Sequence, residues 1–233
     1  CINLIGNKGF EVTCTPDHPF ICNGEVVEAQ YLLGKPLDQL DKKIVDCPTS
    51  LNISQFMIQR SNHPNSRSGI INGDMHKYCS NSIYVPNKIS LSKELMFFYG
   101  IVVAEGSKKG ITLNANETDI VERVGQFYSS LGKGLSHNIY KKSSSPNSIS
   151  VEFSTPSFYE SIFFKAMNCG YGAHNKNLSF LYSLNDKELI REALYGLFVG
   201  DGCFRSKKNG KYTDFLLSFK TVSKTLAMDL ITL

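Results

Sequence analysis

Residues 98–106 read FYGIVVAEG, and residues 194–202 read LYGLFVGDG. The second stretch repeats the first at an offset of 96, carrying Glu105 onto Asp201. Each is an apolar run with small residues four apart, Gly100 and Ala104 in one and Gly196 and Gly200 in the other. Small residues at that spacing flatten one helix face, so two such helices can pack backbone to backbone. Gly106 and Gly202 suit the left-handed residue that ends a helix. Packed together, the helices would set Glu105 and Asp201 side by side at adjacent C-termini. There each feels the negative end of a dipole and the other's charge. Divalent metal offsets that cost, and hard oxygen donors select Mg²⁺. One such stretch alone reads equally well as a buried helix ending in acid–glycine; repetition at a fixed period favours a shared site.

At these residues the chain resembles a known family. The two stretches look like the paired LAGLIDADG motifs of monomeric homing endonucleases, and Glu105 and Asp201 fall on that family's metal-binding acidic position. The resemblance covers residues 92–233. It implies metal-dependent hydrolysis of phosphodiesters on both strands of a double-stranded DNA target, by a monomer using Mg²⁺ or another divalent metal.

The chain has 233 residues, 42% hydrophobic and 20% charged, enough for one large or two small domains. No apolar run is long enough to span a bilayer, and no basic start precedes an apolar segment, so neither membrane nor signal peptide is expected. A net charge of +4 permits nucleic-acid binding without demonstrating it. Seven cysteines with no C-x-x-C spacing argue against a zinc site and a disulfide framework, and for an intracellular setting, cytoplasm or nucleoid. The chain begins without methionine and stops inside an amphipathic pattern, so both ends look cut.

Short β-like runs at 2–4 and 10–15 flank a turn and predict a hairpin. The segment from Val12 to Phe20, VTCTPDHPF, followed by GEVVEAQYLLGKPL, resembles the Thr-x-x-His block of inteins and related Hint domains. Thr15 and His18 match its two polar positions, which in that family polarise the N-terminal splice junction for an N-to-S acyl shift. A histidine near neutral pKa suits such a role. Cys1 is not read as the splicing nucleophile, because Thr15 follows it by only fourteen positions. The host protein's exteins would be partners in cis.

Residues 41–90 have little periodicity, with a loop-rich stretch at 61–69, and 49–91 reads as a linker or accessory segment. Ser92 is a helix N-cap, with Glu94 in the first turn. A strand is expected at 111–113, a helix at 116–131 with Ile120, Val124 and Phe127 on one face, strands at 135–140 and 149–153, and a helix at 156–167. The second copy would run from 188 through short strands at 203–205 and 215–219 around a loop at 206–213. A helix then opens near Ser223, with Leu226, Leu230 and Leu233 in line. Residues Lys108, Lys109, Lys141, Lys142, Arg205, Lys207, Lys208 and Lys211 lie where the hairpins would meet phosphate. His174–Ser179 (HNKNLS) resembles the family's Lys-x-Leu-Pro segment, with Ser179 in place of proline, which makes Lys176 the candidate basic catalytic group.

The fold expected is α+β: a partial splicing (Hint) domain over 1–48, the connection 49–91, LAGLIDADG copy one over 92–187 as αββαββα, and an incomplete copy two over 188–233. The alternatives are a non-cutting DNA-binding protein on a decayed endonuclease, against which the presence of both Glu105 and Asp201 argues, and a free-standing endonuclease, against which the Thr-x-x-His block argues.

Overall fold

The computed structural model describes residues 1–5, 11–23, 25–36, 47–57, 69–71, 74–78, 83–141, 145–209 and 212–233. It is a mixed α+β fold of small antiparallel sheets and five α-helices among those residues.

Two hairpins open the chain. Strands β1 (Ile2–Ile5) and β2 (Glu11–Cys14) pair as the hairpin expected from the two β-like runs. Strands β3 (Pro19–Cys22) and β4 (Glu25–Glu28) turn through Asn23, whose φ of 51° is a left-handed conformation that asparagine tolerates. A 3₁₀ turn, Ala29–Tyr31, follows. Buried Cys22, Ala29 and Leu32 gather Ile2, Leu4, Cys14, Phe20 and Val27 into a small core of their own.

Among the described residues of 47–91 there are two small sheets. Strand β5 (Ser50–Asn52) pairs with β9 (Lys88–Ser90), and β6 (Gly69–Ile71), β7 (Met75–Tyr78) and β8 (Ile83–Pro86) form a three-stranded sheet. Their Leu51, Ile53, Ile83, Val85 and Ile89 enter the main core. The loop-rich stretch at 61–68 lies outside the described residues.

Helix α1 (Lys93–Glu105) is capped by Ser92, whose hydroxyl accepts from the Leu95 N–H at 3.2 Å. Every residue from Leu95 to Ala104 is buried, as an all-round apolar helix requires. One side meets the sheet of β10 (Gly110–Asn114), β12 (Ser148–Phe153) and β11 (His137–Lys141), in that order. Ile111, Leu113, Ile149, Val151 and Phe153 fill the space beneath α2 (Thr118–Ser130) and α3 (Pro156–Glu160), the latter continuing as a π-turn, Ser161–Ala166. The strand expected at 111–113 is β10, and of the further strand that the αββαββα pattern puts ahead of it only one bridge, Gly106↔Ile111, is present. The Ser107 N–H and hydroxyl both donate to the Gly110 carbonyl, at 2.7 and 3.0 Å, and close the turn at once.

The second repeat is α4 (Lys187–Asp201), β13 (Gly202–Asn209), β14 (Tyr212–Phe219) and α5 (Lys224–Thr232). The loop expected at 206–213 is mostly ladder, with Ser206↔Phe215, Lys207↔Asp214 and Lys208↔Thr213 in register. An antiparallel hairpin satisfies both backbones whatever the polarity of its side chains, so the polar composition did not break it. The helix expected to open near Ser223 is α5; Ser223 is its N-cap and lies 106 positions after Glu117, the N-cap of α2.

Helices α1 and α4 meet through their glycines. A Cβ on Gly100 would stand 2.0 Å from the Ala193 carbonyl oxygen and 2.6 Å from the Leu197 nitrogen. A Cβ on Gly196 would stand 2.1 Å from the Phe97 carbonyl oxygen and 3.2 Å from the Ile101 nitrogen. Ala193 and Leu197 are Phe97 and Ile101 moved by the 96-residue offset, so the contact maps onto itself when the repeats are exchanged. Ala104 and Gly200, also equivalent, face each other: a Cβ on Gly200 would lie 2.5 Å from that of Ala104.

Candidate active site

Both motif helices run directly into extended backbone. Gly106 has φ −73° and ψ 144°, and Gly202 has φ −79° and ψ 155°, so neither is the left-handed cap the sequence suggested. Their role is close approach. A Cβ on either would lie 2.3 Å from a carbonyl of its own helix, that of Val102 or Phe198, and each glycine N–H donates to that same carbonyl.

Glu105 and Asp201 therefore finish side by side and share a side-chain hydrogen bond. Glu105 is half-buried and Asp201 more open. Burial first, then the Asp201 charge, pushes the Glu105 carboxyl from 4.5 up to about 7, against the opposing pull of Lys176. Lys176 reaches the pair from the loop ahead of the 3₁₀ turn Ser179–Ser183. Its ammonium donates to the Ala104 carbonyl and lies 3.7 Å from Asp201 Oδ2. A depression of about 250 Å³ opens there, lined by Ala173, Lys176, Asp201, Lys220, Thr221 and Val222. Lys220 was not singled out in the sequence. Register points to it, because it follows Phe219, which pairs with Gly202 next to Asp201.

Among the described residues no three His, Cys, Asp or Glu side chains converge, so this acid pair would contribute two carboxylates. That suits Mg²⁺, which is commonly held by one or two carboxylates plus water and substrate phosphate. The repulsion that raises the Glu105 pKa is what a cation would relieve.

The sign of the pH dependence follows. A carboxyl whose pKa is higher folded than unfolded binds more protons in the native state. Its contribution is therefore most favourable at acid pH and is lost as pH rises from 4.5 through about 7. Metal binding must displace the same proton. The rise in melting temperature on adding Mg²⁺ is expected to be larger at pH 8 than at pH 6, by thermal melts at both; equal shifts would mean that the cation binds elsewhere.

The basic residues divide. Lys109 and Lys141 line a depression of about 640 Å³ over the open face of β10–β12–β11, with Thr112, Tyr140, Ser150 and Glu152. Thr112, Ser150 and Tyr140 form one cross-strand row. The period-2 alternation puts Thr112 and Ser150 on the face away from the core; Thr112 and Tyr140 are exposed, whereas Ser150 is only 7% exposed, its hydroxyl 3.1 Å from that of Thr112. Lys108 turns toward another loop, its ammonium 5.2 Å from the Tyr171 ring centre. Arg205 is exposed opposite Leu216, on the face of β13–β14 away from Phe204 and Leu217. Lys207 and Lys208 lie in β13; Lys142 and Lys211 lie outside the described residues.

Thr15 and His18 are brought together by a tight turn, the His18 N–H donating to the Thr15 carbonyl at 3.1 Å. The His18 ring packs edge-on against Phe20 at 5.2 Å. The Thr15 side chain is hydrogen-bonded to Asp17, and that bond is the main reason the Asp17 carboxyl is lowered below its usual value. Asp17 is a member of this turn that the Thr-x-x-His pattern did not mark.

No family model matches the chain. Over 215 residues, 86% of its length, it is 25% identical to the protein of the archaeon Methanocaldococcus jannaschii named DNA-directed RNA polymerase subunit Rpo1C, covering 23% of that protein. Over 168 residues it is 28% identical to an uncharacterized protein of the same archaeon, covering 18% of it. The chain thus spans less than a quarter of the curated relatives it matches. No helix among the described residues is long and apolar enough to cross a membrane.

Proposed function

We propose that this chain is part of an intein carrying a LAGLIDADG homing endonuclease. On this reading it is a monomeric enzyme that hydrolyses both strands of a double-stranded DNA target inside the cell, in the cytoplasm or nucleoid. The carrying observation is the acid pair: two helices joined through glycines at an exchange-symmetric contact, each ending in a carboxylate, with Lys176 against them. The comparisons add a second support. One chain matching less than a quarter of two differently named proteins is what an insert carried by different hosts would give.

Glu105 and Asp201 would hold the cation, which when bound supplies Lewis acidity toward a phosphodiester. The chain's own groups do the rest. The Lys176 ammonium, 3.7 Å from Asp201, offers positive charge where the leaving oxygen develops negative charge. In the absence of cation, the Glu105 carboxyl holds a proton up to about neutral pH. Polar side chains of the open sheet face, Thr112 and Tyr140, offer hydrogen bonds to base edges, while Lys109 and Lys141 offer charge to phosphate. At the other end Thr15 and His18 keep the splicing assignment.

The test is a plasmid bearing the polymerase-subunit gene with its matched segment removed and its flanks joined, incubated with Mg²⁺ and the chain in its natural reading frame. One double-strand break near the junction supports the reading; specific binding without a break supports the decayed, DNA-binding alternative. Lys176→Met is expected to slow cleavage about 10²-fold or more, as loss of a preorganised group at developing charge does. It should also move the Glu105 titration further above about 7, since the lysine opposes the upward shift. A carbon-13 NMR titration of Glu105 reads the second effect without DNA, and a downward move would refute the placement.

A further inference from the structure

The loop that delivers Lys176 is tied to α5 of the second repeat. Asp229 is buried, with 7% of its surface exposed. Its Oδ2 accepts from the Leu178 N–H at 2.7 Å and its Oδ1 from the Tyr182 hydroxyl at 3.1 Å. At the start of the same helix, the Ser223 hydroxyl donates to the Lys176 carbonyl oxygen at 2.6 Å, while accepting from the Leu226 N–H at 3.1 Å. Helix α5 thus grips the backbone on both sides of Asn177, one residue from the lysine whose ammonium meets Asp201 and the Ala104 carbonyl.

We propose that Asp229, assisted by Ser223, is the positioning residue that sets Lys176 against the acid pair. The proposal rests on Lys176 belonging to the active site as read above. A carboxylate is costly to bury unless its oxygens are satisfied, and both of its hydrogen-bond partners belong to the segment that follows Lys176. Helix packing alone does not demand an acid there. The first repeat carries Arg123 at the equivalent position of α2, 106 residues earlier. Its guanidinium bonds the Glu94 carboxylate at 2.8 and 2.9 Å and lies 3.7 Å from the Phe97 ring centre. The acid therefore stands in the half whose helix faces the Lys176 loop, where the other half has a base bracing the motif helix.

The clamp is tested without DNA. The chain is treated with limiting acetic anhydride, and acylation of Lys176 is read by peptide mass spectrometry relative to Lys93 and Lys187. Asp229→Ala is expected to raise relative Lys176 labelling on the order of tenfold, since hydrogen bonds to a charged acceptor are lost. Asp229→Asn keeps one acceptor oxygen and should fall between; Ser223→Ala should raise labelling less. Where Asp229→Ala does not fold, the Asn and Ser223→Ala variants decide. Unchanged Lys176 labelling in both overturns the proposal, as does a rise shared equally by Lys93 and Lys187, which would make Asp229 a general stabiliser. The underlying reading fails separately: cleavage by Lys176→Met at the wild-type rate would remove Lys176 from the active site and leave the labelling result standing.

Discussion

A chain carrying Glu105→Gln and Asp201→Asn together is expected to lose Mg²⁺-dependent cleavage by at least about 10³-fold, the scale on which electrostatic stabilisation of a transition state is lost. The same chain is expected to melt no lower than the wild type at pH 8. The two results together discriminate. An acid pair kept for structure would cost stability when removed, because buried hydrogen-bonded carboxylates leave unsatisfied partners. Here the partners are chiefly each other, and Glu105 is held up to about 7 by burial and by the Asp201 charge. Neutral amides keep a hydrogen bond between the positions and end the repulsion. Retained cleavage would refute the catalytic assignment; a sharp fall in melting temperature with cleavage lost would leave only a structural pair. The single variants should each approach the double in rate, since residues acting as one unit are not additive.

Gly196→Leu, like its counterpart Gly100→Leu, is expected to be strongly destabilising at the helix interface. Any Cβ at Gly196 stands 2.1 Å from the Phe97 carbonyl oxygen, a backbone atom that cannot swing aside. The helices must part, and overpacking of this kind costs about 3 kcal/mol or more. In a chain of 233 residues that is a fall in melting temperature of about 10 °C. Tyr195→Leu, one position away and 56% exposed, should shift it by no more than about 2 °C, as surface changes do. Parting the helices also separates the acids, so the Glu105 titration should fall back toward 4.5 in any Gly196 variant that stays folded. A Gly196→Leu chain as stable as wild type would mean that the helices do not meet as described.

How much of this was legible depended on how local the determining physics is. Gly100 and Gly196 could be read directly, because small residues at helical spacing have one steric meaning, and the helices touch where they stand. The Ser92 cap could be read for the same reason. Gly106 and Gly202 misled: glycine after a helix commonly signals a left-handed cap, yet these answer to a nearby carbonyl in extended backbone, which only the tertiary path reveals. A longer hairpin in the second repeat was legible from the offsets of 96 and 106, but the extension of its strands into the expected loop was hidden, because Ser206, Lys207 and Lys208 have loop composition while hairpin pairing acts through the backbone. Lys176 came from a likeness of segment. Its neighbours Lys220 and Asp229 had no local mark, since each is defined by what lies across a strand or helix pair.

The unequal hairpins have a consequence of length. Strands of eight residues, as in β13 and β14, extend about 27 Å at roughly 3.4 Å per residue, whereas the five residues of β10 extend about 17 Å. Duplex DNA rises about 3.4 Å per base pair. On the proposed reading the second hairpin overhangs about three more base pairs than β10 does, although the two acids sit on an exchange axis. Such a molecule would cut symmetrically and measure asymmetrically, with one arm of its target longer than the other and no palindrome required.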